Sequence, residues 1–393
     1  MTRNRITGIL LFLLGMAVVV AVIELYPMAL KWAFGPKKPK GEVIVYVAVP
    51  LSGFQANGGQ TVLGGVRLMA EHLNREGGLL GYKVTVVGMD DESDSDVAVA
   101  VAEEIQQAVQ AGKTVVGVVG HYNSGQTIEA MKVYKDLPLI VVTPTASEVS
   151  ITQQGYGNFF RVNANDTVQA KVDADFLVNT LGVRRVAVVY NDDPYGVGLG
   201  QLISQELEAL GAEVPVSLQV AVEQSTFEKE VPQVRDAVPD AVFYAGYEIE
   251  APYLRLALVE NGLGELIFFA SDGAFLSATI DEAEAAAEGI YVSAFGPSPA
   301  QAVDKQWVQE YQAVEYRNPD TYSINGYSAL AVLAEGVKRA KDFDAARVAD
   351  AIRDLDFNAP IGQMSFDASG DLKAPQIYVF QVRNGEFVQV FPE

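Results

Sequence analysis

From residue 42 onward the chain alternates short, continuous apolar runs with longer stretches whose apolar residues recur at helical spacing. The runs VIVYVAVP (43–50), KVTVVGMD (83–90), TVVGVVG (114–120), LPLIVV (137–142), RRVAVVY (184–190), DAVFYAG (240–246), LIFFAS (266–271) and EGIYVSAF (288–295) predict strands. They do not alternate apolar with polar residues as a half-solvated strand would, so each is expected to be covered on both faces. Between them GGVRLMAEHLNREGG, DVAVAVAEEIQQAVQAG, GLGQLISQELEALGA and APYLRLALVENGLG predict helices, several of which run into a Gly suited to a helix C-terminus. Strand–helix alternation implies parallel sheets flanked by helices. The pattern repeats on either side of about residue 166, and 393 residues exceed what one hydrophobic core usually serves. The fold expected is therefore α/β with two lobes.

Ahead of this body, Ile6 to Ile23 is uncharged and mainly apolar, and Arg3 and Arg5 precede it. A helix over such a stretch approaches the roughly 30 Å thickness of a bilayer's hydrocarbon core. It carries no A-x-A cleavage site and no lipid-acceptor cysteine. Residues 1–24 are accordingly expected to form an uncleaved signal anchor, a transmembrane helix that holds the body at the extracytoplasmic face of the cell membrane, with 25–41 as a Pro/Lys linker. The alternative is a signal peptide removed on secretion. The whole chain has 28 basic and 50 acidic residues, a net charge of −22, and without residues 1–40 the balance is 22 against 49, or −27. Such acidity excludes nucleic acid as a partner. The absence of cysteine excludes disulfides, thiol catalysis and cysteine-ligated zinc.

Motifs that carry chemistry are few. YGVGLG (195–200) has Gln201 where the third glycine of a dinucleotide fingerprint belongs, and GKT (112–114) has Gln107 where a phosphate loop needs its first glycine. Both read as helix ends. DDESDSD (90–96) lacks the spacing of a calcium loop and precedes a helix, which makes capping its expected role. His72 and His121 stand alone and there is no G-x-S-x-G elbow, so no metal, no cofactor and no enzymatic activity are expected.

Ligands of open parallel sheets bind beyond the carboxyl ends of the strands. Those ends are PLSGFQANG, GHYNSGQT, TPTASE, YNDDPYGVG, YAGYEIE and ASDGAF, all rich in hydroxyls, amides and tyrosines. In HYNSGQT (121–127) and TPTASEVS (143–150) a buried strand meets hydroxyls and a helix start, a setting that attracts carboxylate or phosphate, with plain Ser/Thr capping as the competing reading. Tyr247 and Asp272 are expected on the facing unit, although an acid before Gly is also a common turn residue.

The order of PLSGFQANGG, LNREGGLLGYKVTVVGMDDESD, VVGHYNSGQT, PLIVVTPTASEVS, FFRVN, VAVVYNDDPYGVGLG, AVFYAGYEIE and SDGAF, with the late SFDASGDLKAPQIYVFQV, resembles the branched-chain amino-acid (leucine/isoleucine/valine) binding proteins of ABC importers over about residues 42–391. That resemblance implies the periplasmic binding protein type I fold, two α/β lobes joined by three crossing segments that close on a small solute. With the doubled pattern it assigns lobe 1 to 42–166 and 296–362, and lobe 2 to 167–295 and 363–393. It also implies that Ser124 and Ser147 hold a ligand carboxylate, with a backbone contact from Thr145, and that Tyr247 and Asp272 take the ligand's ammonium. Asp272 replaces the glutamate of leucine-binding members, and Asn57, Tyr122 and Asn123 fill positions often more apolar there, with Tyr195 and Tyr322 lining the remainder. These departures open the ligand class to polar amino acids and small amides. The expected partners are that small molecule and ABC permease subunits. A ligand-sensing receptor domain of the same fold, or a cell-envelope interaction protein with a degenerate cleft, are the alternative readings.

Overall fold

The computed structural model describes residues 38–392. The expected anchor (1–24) and all but the last residues of the expected linker (25–41) lie outside the described residues, among which no helix is long and apolar enough to cross a membrane.

The first sheet consists of β1 (Glu42–Val49), β2 (Lys83–Asp90), β3 (Val115–Gly120), β4 (Ile140–Thr143) and β5 (Phe159–Arg161), all parallel in the order β2-β1-β3-β4-β5. Every residue of β3 and β4 is buried, which is why their sequences show no alternation. Successive residues of β1 still serve opposite faces. Val43, Val45, Val47 and Val49 join one core cluster, and Tyr46 and Ala48 another. Helices α1 (Ala56–Arg75), α2 (Ser95–Gln110) and α3 (Ser124–Tyr134) provide the first connections. The Asp94 carboxylate accepts from the N–H groups of Asp96 and Val97, so the acidic run caps α2.

The chain then crosses to a second lobe. There β6 (Val186–Asn191), β7 (Ser217–Val220), β8 (Ala241–Ala245), β9 (Ile267–Ala270) and β10 (Tyr291–Ala294) are parallel, with α4 (Asp166–Asp175) leading into β6 and α5 (Pro194–Ala209), α6 (Glu230–Ala237) and α7 (Glu250–Glu260) between the strands. After β10 it returns to the first lobe as α8 (Lys305–Glu315), α9 (Ser323–Ala340), α10 (Ala345–Arg353) and the small pair β11 (Phe357–Ala359) and β12 (Gly362–Met364). Helices α1 and α9 approach backbone to backbone. A Cβ on Gly65 would stand 1.9 Å from the Ser323 carbonyl oxygen, and one on Gly326 would stand 2.2 Å from that of Val62.

Two features depart from the sequence reading. Residues 363–377 pack on the first lobe, not the second, with Met364, Phe366 and Ile377 buried in its core. The third crossing therefore comes at Ile377–Tyr378. Beyond it, β13 (Tyr378–Arg383) and β14 (Glu386–Phe391) add an antiparallel edge to an otherwise parallel sheet, in the order β14-β13-β10-β9-β8-β6-β7. Asn384 and Gly385, both at positive φ, form a two-residue turn that can only reverse the chain.

One side chain ties the first lobe's outer strand to this returning segment. Arg161 at the end of β5 is fully buried, donates to the carbonyls of Ala146 (3.1 Å) and Glu148 (3.2 Å) and to Thr152 Oγ1 (3.0 Å), and pairs with Asp371 at 2.5 Å. Removing one partner of a buried pair costs about 3–5 kcal/mol. In chemical denaturation Arg161→Ala should lose about that much stability. Asp371→Ala should lose less, because the guanidinium keeps its carbonyl acceptors.

Candidate ligand-binding cleft

The carboxyl ends of both sheets face each other across a narrow cleft with a cavity volume of about 20 Å³. On the first lobe, Tyr122, Asn123 and Ser124 follow β3, and Thr145 and Ser147 follow β4. Tyr195, Tyr247, Asp272 and Gly273 come from the second lobe, and Tyr322 from the turn before α9. Among the described residues no aliphatic side chain lines this space. Of the residues that the sequence singled out, all but Asn57 are brought together. The Asn57 side chain is instead held by Arg317, whose Nη2 donates to its Oδ1 at 2.9 Å.

The hydroxyls after β4 divide their work. Thr143 Oγ1 donates to the His121 carbonyl (2.9 Å) and accepts from Ala146 N–H (3.0 Å), and Thr145 Oγ1 donates to the Tyr122 carbonyl. These two shape the loop. Ser124 Oγ at the start of α3 accepts from the N–H groups of both Ser147 and Glu148 at 3.2 Å. Two backbone donors thus converge on one oxygen at a helix N-terminus, an arrangement suited to a carboxylate.

The second lobe presents acid and phenol. Tyr195 Oη donates to Asp272 Oδ1 at 2.6 Å, and Tyr247 Oη donates to Asp193 Oδ1 at 2.9 Å, with the two rings stacked at 5.6 Å. A Cβ on Gly273 would meet the Gly246 carbonyl oxygen at 2.3 Å, so only glycine lets the Asp272 turn sit this tightly against the end of β8. The lobes are closed on one another. Tyr322 Oη donates across to the Asp272 carbonyl at 2.6 Å, and Ser277 Oγ donates to Asp320 at 2.7 Å, while Tyr122 packs edge-on against Tyr322 within the first lobe. Burial pushes the Asp272 carboxyl up to about 6, against the hydrogen bonds from Tyr195 and Gln169 that lower it.

Asp166, which sequence reasoning used only as a lobe boundary, belongs to this site. It is fully buried, with Asp272 as a like-charged neighbour and the Ser147 hydroxyl as its hydrogen-bonding neighbour. Burial, the largest influence, pushes it up to about 8. The usable signal was the Asn-Asp pair at 165–166. Asn165 caps α4 by accepting from Val168 N–H, which frees the adjacent acid for another purpose. The two histidines are structural: His121 is buried against Asp91 (2.7 Å), and the half-buried His72 contacts Glu310 (2.5 Å). Among the described residues no group of three His, Asp or Glu is placed to hold a metal ion.

The sequence profile of a family described as periplasmic binding protein matches residues 44–386. A Leu/Ile/Val-binding protein homolog 1 of Brucella melitensis is 28% identical over 346 residues, which is 88% of this chain and 91% of that protein. An amino acid binding protein of Pseudomonas aeruginosa is 29% identical over 343 residues, covering 86% and 90%. Among solved structures, the leucine binding protein LivK of Thermotoga maritima superposes with a TM-score of 0.81 at 25% identity, over 88% of this chain and 97% of that one.

Chemically, the cleft offers converging N–H and O–H donors on one wall and two buried acids on the other. An acid whose pKa in the folded protein is raised costs stability as pH rises, because the unfolded chain gives up that proton earlier. For Asp166 the window runs from about 4, its ordinary value, to about 8. In thermal unfolding of the ligand-free protein, Asp166→Asn should therefore exceed the parent by a margin that widens through this range and then levels off. A margin independent of pH would show that Asp166 is not desolvated in this way.

Proposed function

Because the chain belongs to the periplasmic binding protein family, matched over residues 44–386, we propose that it is the solute-binding component of an ABC importer, a non-enzymatic protein that captures an amino acid between its lobes and hands it to permease subunits. The observation that carries this reading is the pairing of opposite chemistries across one small space. The Ser124 site, with the Ser147 and Glu148 N–H groups and the Thr145 loop, suits an α-carboxylate. Asp272, aligned by Tyr195 and adjoined by Asp166 and Tyr247, suits an α-ammonium. An ammonium between Asp272 and Asp166 would draw both acids back to their charged forms, since opposite charge favours ionisation.

Closure follows from the same pairing. Only the closed arrangement brings the donors of one lobe and the acids of the other onto a single solute, so ligand favours it. The three crossings at 162–166, 295–298 and 377–378 are the places where the lobes are joined by chain. Residues 6–23 supply the remaining element of this reading, an amino-terminal anchor that keeps the binding body at the extracytoplasmic membrane surface near its permease. The apolar length of that stretch and the arginines before it support the anchor.

Calorimetry with an amino-acid panel tests the binding reading. Removing one partner of a buried charge pair costs about 2–5 kcal/mol, so Asp272→Ala should weaken binding roughly 30- to 3000-fold. Ser147→Ala should cost about 1.5–3 kcal/mol, the worth of a hydrogen bond to a charged group. Binding by Asp272→Ala within threefold of the parent would remove the ammonium role. On fractionation of the producing cells, the full chain should sediment with membranes and leave them only in detergent. A soluble extracellular form beginning near residue 30 would rule out the anchor.

A further inference from the structure

Behind Asp272, a line of three fully buried polar side chains runs into the second lobe. Gln169 and Asp173 stand four residues apart on α4 and so share one face of it, and Ser293 lies on β10. Gln169 hydrogen-bonds to Asp272, Gln169 Nε2 donates to Ser293 Oγ at 2.9 Å, and Ser293 Oγ donates to Asp173 Oδ2 at 2.9 Å. The order of these bonds fixes the orientation of the amide. A hydroxyl has one proton, and that of Ser293 goes to Asp173, so Ser293 can only accept from Gln169. The Asp272 carboxylate also only accepts, and the same amide nitrogen has a second N–H to give it. Asp173 ends the line. Its Oδ1 has no partner, and the charged neighbour that it feels is Asp272, of like sign. Burial pushes the Asp173 carboxyl well above the usual carboxylate range, against the hydrogen bond from Ser293.

We propose that Gln169, Ser293 and Asp173 are positioning residues for the ammonium site, a relay that holds the Gln169 amide with its N–H toward Asp272 and so keeps that carboxylate aimed and ionised for the solute. This rests on the amino-acid reading of the cleft. Stability alone does not call for three polar groups here, since an apolar set of the same shape in a lobe core can be as stable. What the polar set adds is direction. Without Ser293, the Gln169 amide could turn its oxygen toward Asp272, and two acceptors would face each other. Without Asp173, the Ser293 hydroxyl would be free to donate to Gln169 and favour that same reversal. The titratable groups around Asp272 are Tyr195 on α5, Asp166 and Asp173 on α4, and Tyr122 and Tyr322 of the first lobe, and none of them is basic. Tyr195 and Gln169 are therefore the side-chain donors on which the charge of Asp272 relies before a solute arrives.

The test is calorimetry of the full chain in detergent with leucine, alanine and glutamine over a range of pH, on the parent and on Gln169→Leu, Ser293→Ala, Asp173→Leu and Asp173→Asn. Gln169→Leu removes a hydrogen bond to a charged group and should weaken the amino acid that the parent binds best by roughly tenfold or more. A donor favours the charged form of a carboxylate, so its loss should also raise the pH below which affinity falls. Ser293→Ala and Asp173→Leu should move both readouts in the same direction, whereas Asp173→Asn, which keeps an acceptor for Ser293, should stay close to the parent. Affinity within about threefold of the parent for Gln169→Leu and Ser293→Ala, at an unmoved pH profile, would overturn the proposal. Ser293→Ala removes a single oxygen and keeps this outcome readable if the larger changes do not fold. Weaker binding with an unmoved pH profile would overturn it as well, since that marks general damage to the second lobe, and so would an Asp173→Asn protein as weak as Asp173→Leu. If the parent bound none of the three amino acids, the reading of the cleft itself would fall, and this proposal with it.

Discussion

A carboxylate taken out of water must find a countercharge, a set of donors or a proton. The closed cleft places Asp272 and Asp166 under that constraint together, with a phenolic donor, Tyr195, on Asp272 and the Ser147 hydroxyl beside Asp166. Both acids are pushed up by burial. A closed molecule without solute therefore holds protons that an open one would release, and a cationic group entering between the acids takes the protons' place. Much of the local architecture serves this arrangement. Gly273 admits the turn that carries Asp272, Asn165 relieves Asp166 of capping, and the Tyr195–Tyr247 stack holds the phenol in line.

The opposite wall depends on a different device. The loop after β4 is shaped by its own hydroxyls from within and by Arg161 from beneath, whose guanidinium gathers the carbonyls of Ala146 and Glu148. Asp371, on the stretch leading to the last crossing, supplies the countercharge to that guanidinium. The wall that receives the solute and the chain that re-enters the second lobe are thus fastened to the same side chain. A displacement of one is felt by the other through a single rigid group, without any path across the sheet.

The fold was legible because strands buried on both faces write themselves as unbroken apolar runs, and the cleft because strand ends of such sheets carry the ligand's contacts. The stretches 121–127 and 143–150, with Tyr247 and Asp272, could be singled out for that reason, whereas Tyr195 came only from the family resemblance. Asn57 was misplaced since sequence gives no view of Arg317, some 260 positions away, that claims its side chain. Asp166 was hidden because an acid opening a helix ordinarily reads as favourable to the helix dipole. The antiparallel edge had a local signal in Asn384-Gly385, whereas the attachment of 363–377 to the first lobe depends on Phe366 and Ile377 finding that core, a long-range choice.

The bond that spans the closed cleft ends on a main-chain atom. Tyr322 donates to the carbonyl of residue 272, not to its carboxylate. A peptide carbonyl is present whatever side chain the position carries, so the latch is blind to the residue that does the recognising. The shutting of the cleft and the choice of what is shut inside it can then drift separately over evolutionary time. A lineage can lengthen, shorten or neutralise the side chain at 272 and acquire a new cargo while inheriting the clasp unchanged.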